Sequence, residues 1–353
     1  MPRVRISPQQ IEAEVAELQH KLGRATKTLA RAKDATLGSC QRDEVFRIGD
    51  ATLYHYKALT NVGNPVPVLI VYALVNRPDM IDLQHDRSLV RALLERGIDL
   101  YLIDWGTPTG ADRSTTLSDY ICRYIDSCVD FIRTASEQKR INLLGICQGG
   151  TFSACYSALN PEKIRNLITT VTPIDFHTPK DMLSHLFRHV DVDLMVDSSG
   201  NISGDLLNAM FLSLKPFRLS QQKYVHMLDN ADDEESMKMF MRMEKWIFDS
   251  PALAGAGFRE FAGDFYQKNN LIKGRVRLGG VSVNLNNIDM PVLNIYARDD
   301  HLVPPDASLA LAKYVGTSDY EAIEFPGGHI GIYVSSRAHI VLPDAIQAWL
   351  SER

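Results

Sequence analysis

The chain has 353 residues, 45% of them hydrophobic and 23% charged, and its 38 Lys and Arg against 43 Asp and Glu leave a formal net charge of −5. Single cores stop growing at roughly 250–300 residues, so this length suits one large core with an insertion, or two domains of unequal size. A mildly acidic chain with no long basic run lacks the clustered cations that nucleic acid or an anionic membrane demands, so neither is expected as its main partner. The five cysteines, at 40, 122, 128, 147 and 155, form no CxxC pair. They suit neither a disulfide framework nor a four-thiolate zinc site, which points to a reducing compartment and leaves a thiol available for chemistry.

The first ten residues, MPRVRISPQQ, hold no apolar stretch of the signal-sequence kind. The longest strongly apolar run, Val68 to Val75, is about a strand long, well short of the ~20 residues a membrane-spanning helix needs. A cytoplasmic protein with no transmembrane segment is therefore expected. Residues 1–35 carry Ile11, Val15, Leu18, Leu22 and Leu29 at roughly helical spacing among charges, predicting an amphipathic helix that covers the core or docks a partner.

From about residue 45, short β-branched runs alternate with helical periods, the pattern of a mostly parallel sheet covered by helices. Strands are expected over Thr52–Leu59, Val68–Val75, Asp99–Asp104, Ile141–Leu144, Leu167–Thr172, Val292–Tyr296 and Tyr320–Phe325. Helices are expected over 89–97 and 117–134, the second with Ile121, Tyr124, Ile125, Cys128, Val129 and Ile132 on one face. Between about 174 and 288 the alternation gives way to a Met-, Phe- and charge-rich stretch, far too long for a loop. It reads as a cap or lid insertion, residues 175–287, within one α/β domain built from 1–174 and 288–353.

The apolar run Ile141–Leu144 leads straight into Gly145-Ile146-Cys147-Gln148-Gly149 and then a helical stretch, Thr151 to Leu159. This is the pattern of a nucleophile elbow, a sharp strand-to-helix turn whose flanking glycines avoid clashes and whose central residue, here Cys147, projects from the carboxyl edge of the sheet. A helix N-terminus aimed at Cys147 favours the thiolate. The Gln148 backbone N–H is placed as one oxyanion donor, with a second expected from Leu74 or Val75 in the loop after the third strand of such a fold.

In such a fold an Asp or Glu and then a His follow the nucleophile in chain order. Asp299-Asp300-His301 follows the strand at 292–296, and Gly328-His329 follows the strand at 320–325, both on the Cys147 edge of the sheet. His329 is thus the candidate base, held by Asp299 or Asp300, a choice strand geometry alone leaves open. His185 and His189 have the spacing of a zinc pair but no HExxH glutamate or evident third ligand, so no metal is expected.

Together these segments resemble a known family, the catalytic subunit of class III, two-component polyhydroxyalkanoate synthase, an α/β-hydrolase-like family with a Cys nucleophile. The resemblance runs through Tyr72-Ala-Leu-Val-Asn-Arg-Pro78 with Asp82-Leu-Gln84, Tyr101-Leu-Ile-Asp-Trp-Gly106, the Cys147 box, Glu244-Lys-Trp-Ile-Phe-Asp-Ser-Pro251, Asp300-His-Leu-Val-Pro304 and Gly328-His329. It selects Asp300 over Asp299, because the family places its Asp before a His in D-H-x-x-P. Asp79 departs from the pattern, standing where an aromatic residue is usual, and Pro251 to Gly257 lacks polar residues expected there.

The resemblance implies transfer of an (R)-3-hydroxyacyl group, such as 3-hydroxybutyryl, from CoA through a Cys147 thioester onto a growing polyester, with His329 or Asp300 activating the chain hydroxyl. It implies no cofactor, since CoA enters with the substrate. It also implies a non-catalytic second subunit, a homodimer or hetero-oligomer, and location at polyester granules. Two other functions fit the same scaffold: a Cys-dependent thioesterase or dienelactone-type hydrolase, and a non-catalytic hydrolase-fold binding protein.

Overall fold

Eight strands build the central sheet: β1 (Arg42–Ile48), β2 (Ala51–Tyr56), β3 (Asn64–Val71), β4 (Ile98–Asp104), β5 (Ile141–Ile146), β6 (Ile164–Thr170), β7 (Val292–Ala297) and β8 (Tyr320–Phe325). They lie in the order β1-β2-β4-β3-β5-β6-β7-β8. The first two pairings are antiparallel and the rest parallel. The computed structural model describes residues 16, 17, 19, 21, 37–215, 223–230 and 233–353.

A parallel sheet must be covered on both faces, and its central strand, Ile-Asn-Leu-Leu-Gly-Ile, is buried along its whole length. Strand alternation divides the apolar residues between two cores: Leu69, Val71 and Leu143 pack on one face, Val68, Ile70 and Leu144 on the other. Helices α1 (Leu89–Glu95) and α10 (Ala338–Ser351) cover the second face; α2 (Asp126–Ala135) and α3 (Gln148–Leu159) cover the first.

Three differences from the expected elements stand out. The expected strand Val68–Val75 starts earlier, at Asn64, and ends at Val71, because residues 72–77 turn out of the sheet to meet α3 and the insertion. Strand β1, which the pattern does not announce, is an edge strand with exposed Asp43, Glu44 and Arg47, so no apolar alternation marks it. The helix expected over 117–134 winds first as a π-helix, Asp119–Ile125, and then as α2. It still buries Ile121, Ile125, Cys128, Val129 and Ile132 as its spacing requires.

Between β6 and β7 no segment of the described residues joins the central sheet. This insertion contains α4 (Met182–Phe187), α5 (Val192–Ser199), α6 (Gly204–Leu214), α7 (Lys223–Asp229), α8 (Glu234–Phe248), α9 (Gly255–Glu260), a π-helical turn at Phe261–Gln267 and a small ribbon pairing Arg277–Leu278 with Val281–Ser282. Its aromatic residues continue the core: Phe261 meets Phe152 of α3 edge-on at 5.7 Å and Phe176 at 5.8 Å, while Phe187 stacks on Tyr266 at 4.9 Å. The insertion and α3 therefore share one buried cluster.

The apolar stretch Pro251–Gly257 has a packing reason. A Cβ at Gly255 would strike the Gly200 carbonyl, and one at Gly257 would come within 3.2 Å of the Thr115 carbonyl, so small residues let α9 sit close to its neighbours. The amphipathic helix expected over residues 1–35 lies outside the described residues except for 16, 17, 19 and 21, which are helical. Among these, Lys21 pairs with Asp229 of the insertion at 2.9 Å. No helix of the described residues is long and apolar enough to cross a membrane.

Asp181 caps α4, accepting the Ser184 N–H at 2.9 Å, yet it is buried. Burial pushes its carboxyl up to about 6, against the opposing pull of the Ser184 N–H, His185 and Arg188. The folded state thus prefers the neutral acid, and that preference is lost as pH rises from about 4 through about 6. Asp181→Asn keeps a capping side chain without the charge. Thermal denaturation should show it more stable than the parent at pH 8 by up to about 3 kcal/mol, at ~1.4 kcal/mol per pKa unit, with the gain vanishing near pH 4.

Candidate active site

The carboxyl end of β5 and the start of α3 meet at Cys147, whose backbone adopts φ 54°, ψ −124°, a conformation that L residues rarely take. The flanking glycines make this turn possible. A Cβ at Gly145 would strike the Gly150 backbone and come 2.7 Å from the Ser153 hydroxyl; one at Gly149 would strike the Val71 carbonyl at the end of β3. Backbone bonds from Cys147 N–H to the Thr170 carbonyl and from Gly150 N–H to the Cys147 carbonyl, both 2.9 Å, secure the turn.

The loops after β7 and β8 bring Asp300 and His329 to the same edge. His329 Nδ1 lies 2.7 Å from Asp300 Oδ2, and Asp300 Oδ1 accepts the N–H groups of Leu302 at 2.8 Å and Val303 at 2.9 Å. The Asp300 side chain is 0% exposed and that of His329 8%, whereas the Asp299 side chain is 64% exposed beside Arg298. Burial opposes charge on His329, but the Asp300 carboxylate and Cys147, both acting on the ring as charges and hydrogen-bond partners, hold its pKa well above the usual imidazole value. With Nδ1 turned to Asp300, Nε2 is the nitrogen left for Cys147. The arrangement can move a proton between sulfur and imidazole while the carboxylate stabilises the imidazolium.

Two buried tyrosines, Tyr72 and Tyr333, and the partly buried Tyr266 lie within electrostatic range of the thiol. Burial pushes the hydroxyls of Tyr72, Tyr266 and Tyr333 well up, helped by the Cys147 charge at Tyr72, by Asp181 and then Cys147 at Tyr266, and by Tyr72 and then Cys147 at Tyr333, so each stays protonated. Tyr333 also meets the Thr170 hydroxyl at 2.8 Å. Tyr266 belongs to the insertion.

Gln148, the first residue of α3, is buried, and its backbone N–H has no intrahelical acceptor. Its side-chain Oε1 accepts the Leu74 N–H at 3.0 Å. That bond takes up the Leu74 donor, while the Val75 N–H has no protein partner among the described residues. The same loop is fixed at Tyr72, whose carbonyl accepts the Trp105 indole N–H at 2.9 Å. Asp79 lies elsewhere, in a small cavity with Arg42, Tyr56 and Asp82, where burial pushes its carboxyl up.

With this geometry in hand, kinship can be assigned. The alpha/beta hydrolase fold family matches residues 66–336. Over 99% of both chains the sequence is 53% identical to the poly(3-hydroxyalkanoate) polymerase subunit PhaC of Allochromatium vinosum. The chain belongs to the poly(3-hydroxyalkanoate) polymerase family. The corresponding subunit of Thiocystis violacea is 51% identical over the full length of both, and that of Synechocystis is 50% identical over 91% of this chain and 86% of the relative. Among solved structures, a monoacylglycerol lipase of Paleococcus ferrophilus overlays with a TM-score of 0.55 at 18% identity, covering 85% of this chain and 98% of the lipase. A Thermogutta terrifontis esterase gives 0.52 at 14% identity, covering 88% and 98%. These two share the fold of this polymerase family member.

Sequence reasoning placed Cys147, Gln148, Asp300 and His329 at one edge and left Leu74 and Val75 open. It did not single out Tyr72, Trp105 or Tyr266, whose partners are remote in sequence. Tyr72 and Trp105 do lie in segments that carry the family resemblance, the one available signal. Gly149→Ala tests the elbow: forcing a Cβ against the Val71 carbonyl should destabilise the fold by about 3 kcal/mol, read as a lower denaturation midpoint, because backbone cannot rotate aside as a side chain can.

Proposed function

We infer that this chain is the catalytic subunit of a poly(3-hydroxyalkanoate) polymerase, an acyltransferase that joins (R)-3-hydroxyacyl groups from CoA into polyester through a thioester on Cys147. The observation that carries this reading is a cysteine, not a serine, at the elbow of a chain related over its full length to named polymerase subunits. Moving an acyl group from the CoA thiol to a cysteine thiol exchanges one thioester for another at nearly equal energy. The acyl-enzyme then stays reactive toward a hydroxyl.

His329 Nε2 takes the Cys147 proton, and the sulfur attacks the thioester carbonyl. Negative charge gathers on the carbonyl oxygen between the N–H groups of Gln148 and Val75. The carbon–sulfur bond to CoA breaks, and the leaving thiolate takes the proton from the imidazolium. In the second half-reaction His329 accepts the proton of the chain hydroxyl as its oxygen attacks the acyl carbon, the ester forms, and Cys147 departs and is reprotonated. Asp300 is sealed behind His329 with both oxygens occupied, so it acts through the imidazole in both halves.

Water competes with the chain hydroxyl, and the insertion, which packs on α3 and holds the loop at 76–77, serves as the cap that excludes it. The chain works in the cytoplasm at the surface of polyester granules, in complex with a non-catalytic second subunit. Short (R)-3-hydroxyacyl-CoA, 3-hydroxybutyryl-CoA first, is the substrate.

Purified protein supplied with (R)-3-hydroxybutyryl-CoA, with and without a second subunit, should release CoA and form polyester. Free 3-hydroxybutyrate without polymer would mean a thioesterase, and CoA release unchanged by Cys147→Ala would mean that Cys147 is not the nucleophile. By mass spectrometry of the acyl-enzyme, His329→Ala should lose acylation by about a thousandfold and Asp300→Asn by about a hundredfold, in the range of general acid–base contributions. Chain growth should fall in parallel with acylation in Asp300→Asn.

A further inference from the structure

The loop from Tyr72 to Arg77 leaves the sheet between two sets of anchors. On the core side, Trp105 donates to the Tyr72 carbonyl and Leu74 donates to Gln148 Oε1. On the other side the anchors come from the insertion. The Trp246 indole N–H, near the end of α8, donates to the Arg77 carbonyl at 2.7 Å, and Arg77 Nε pairs with Asp249 at 3.1 Å. The Ser250 hydroxyl donates to the side-chain Oδ1 of Asn76 in a short contact.

Asn76 itself holds φ at 63°, a left-handed conformation that tertiary contacts must maintain. The residue framed by all these anchors is Val75, whose N–H remains for an incoming oxygen. The α8 terminus is in turn secured to α6, because the Asn208 side chain donates to the Ile247 carbonyl at 2.6 Å and a Cβ at Gly204 would strike the Ser250 carbonyl. The anchors at Arg77 and Asn76 are thus part of a packed unit, able to transmit the position of the insertion to the loop.

We propose that Trp246 and Ser250 are positioning residues for the second oxyanion donor, so that Cys147 can be acylated only while the insertion is seated on the loop at 72–77. The proposal rests on the polymerase reading above. Displacing residues 246–250 to admit substrate or pass product removes the restraints on Asn76 and Arg77 and lets the Val75 N–H drift. An open site then lacks the donor that would also stabilise attack by water, so hydrolysis is suppressed when the thioester is most exposed.

Two reactions of the same thiol test this. Acylation by (R)-3-hydroxybutyryl-CoA develops charge on a carbonyl oxygen and needs the donors, whereas alkylation by iodoacetamide needs the thiolate and access but forms no oxyanion at that position. Ser250→Ala removes one anchor, and Trp246→Phe removes the indole N–H while keeping a ring. Each should slow single-turnover acylation about tenfold, less than the ~100-fold or greater effect of deleting a donor outright. Alkylation rates and denaturation midpoints should stay near those of the parent. Parent protein that alkylates but never acylates would refute the polymerase reading. Parent protein that acylates, with both variants acylating at its rate, would overturn the present proposal alone. So would a parallel fall in acylation, alkylation and stability, since that is the mark of a merely structural contact.

Discussion

The structure depends on one close approach: the N-terminus of α3 lies against the carboxyl end of β3 with no room for a side chain between them. At Gly149 even a methyl group would meet the Val71 carbonyl, and at Gly145 it would meet the backbone of α3 itself. This contact forces the left-handed turn at Cys147 and lifts the thiol clear of the sheet. It also brings the Gln148 side chain within reach of Leu74, joining the Cys147 turn to the loop that follows β3. Strain at Cys147 is tolerated because β5, buried throughout, and its neighbour β6, buried at all but Arg165, hold the turn.

Around that contact, polar groups are arranged so that nearly every one has a fixed partner. Asp300 spends one oxygen on two backbone N–H groups and the other on His329, which sets the ring orientation and leaves one nitrogen facing the sulfur. In a buried site this matters more than in water, because an imidazolium there would be discouraged by desolvation without the adjacent carboxylate. The insertion closes the arrangement. Its aromatic residues extend the core of α3, and the end of α8 grips the loop at 76–77.

The alternation of apolar runs and helical periods made seven of the eight main strands legible, the inner parallel ones because buried parallel strands carry near-continuous apolar runs. Strand β1 was illegible for the converse reason: it lies at an edge and carries Asp43, Glu44 and Arg47. The π-helical start of the helix at 119–125 was hidden too, since its apolar spacing serves an α-helix almost equally well. Cys147 and His329 could be read from local pattern, each between glycines or beside one at the end of a strand. Asp300 could be separated from Asp299 only by family resemblance, whereas in the fold one is enclosed against His329 and the other is exposed.

By itself, the sequence determined the α/β class and the strand-to-helix turn at Cys147, because both are written in spacing along the chain. Tertiary structure decided which loop N–H is taken up by Gln148 and which is left, and that Trp246 and Ser250 reach the loop at 72–77. Those contacts join residues far apart in sequence through single hydrogen bonds. A hydrogen bond of that kind leaves no periodicity to read: it exists only once packing has set donor and acceptor about 3 Å apart.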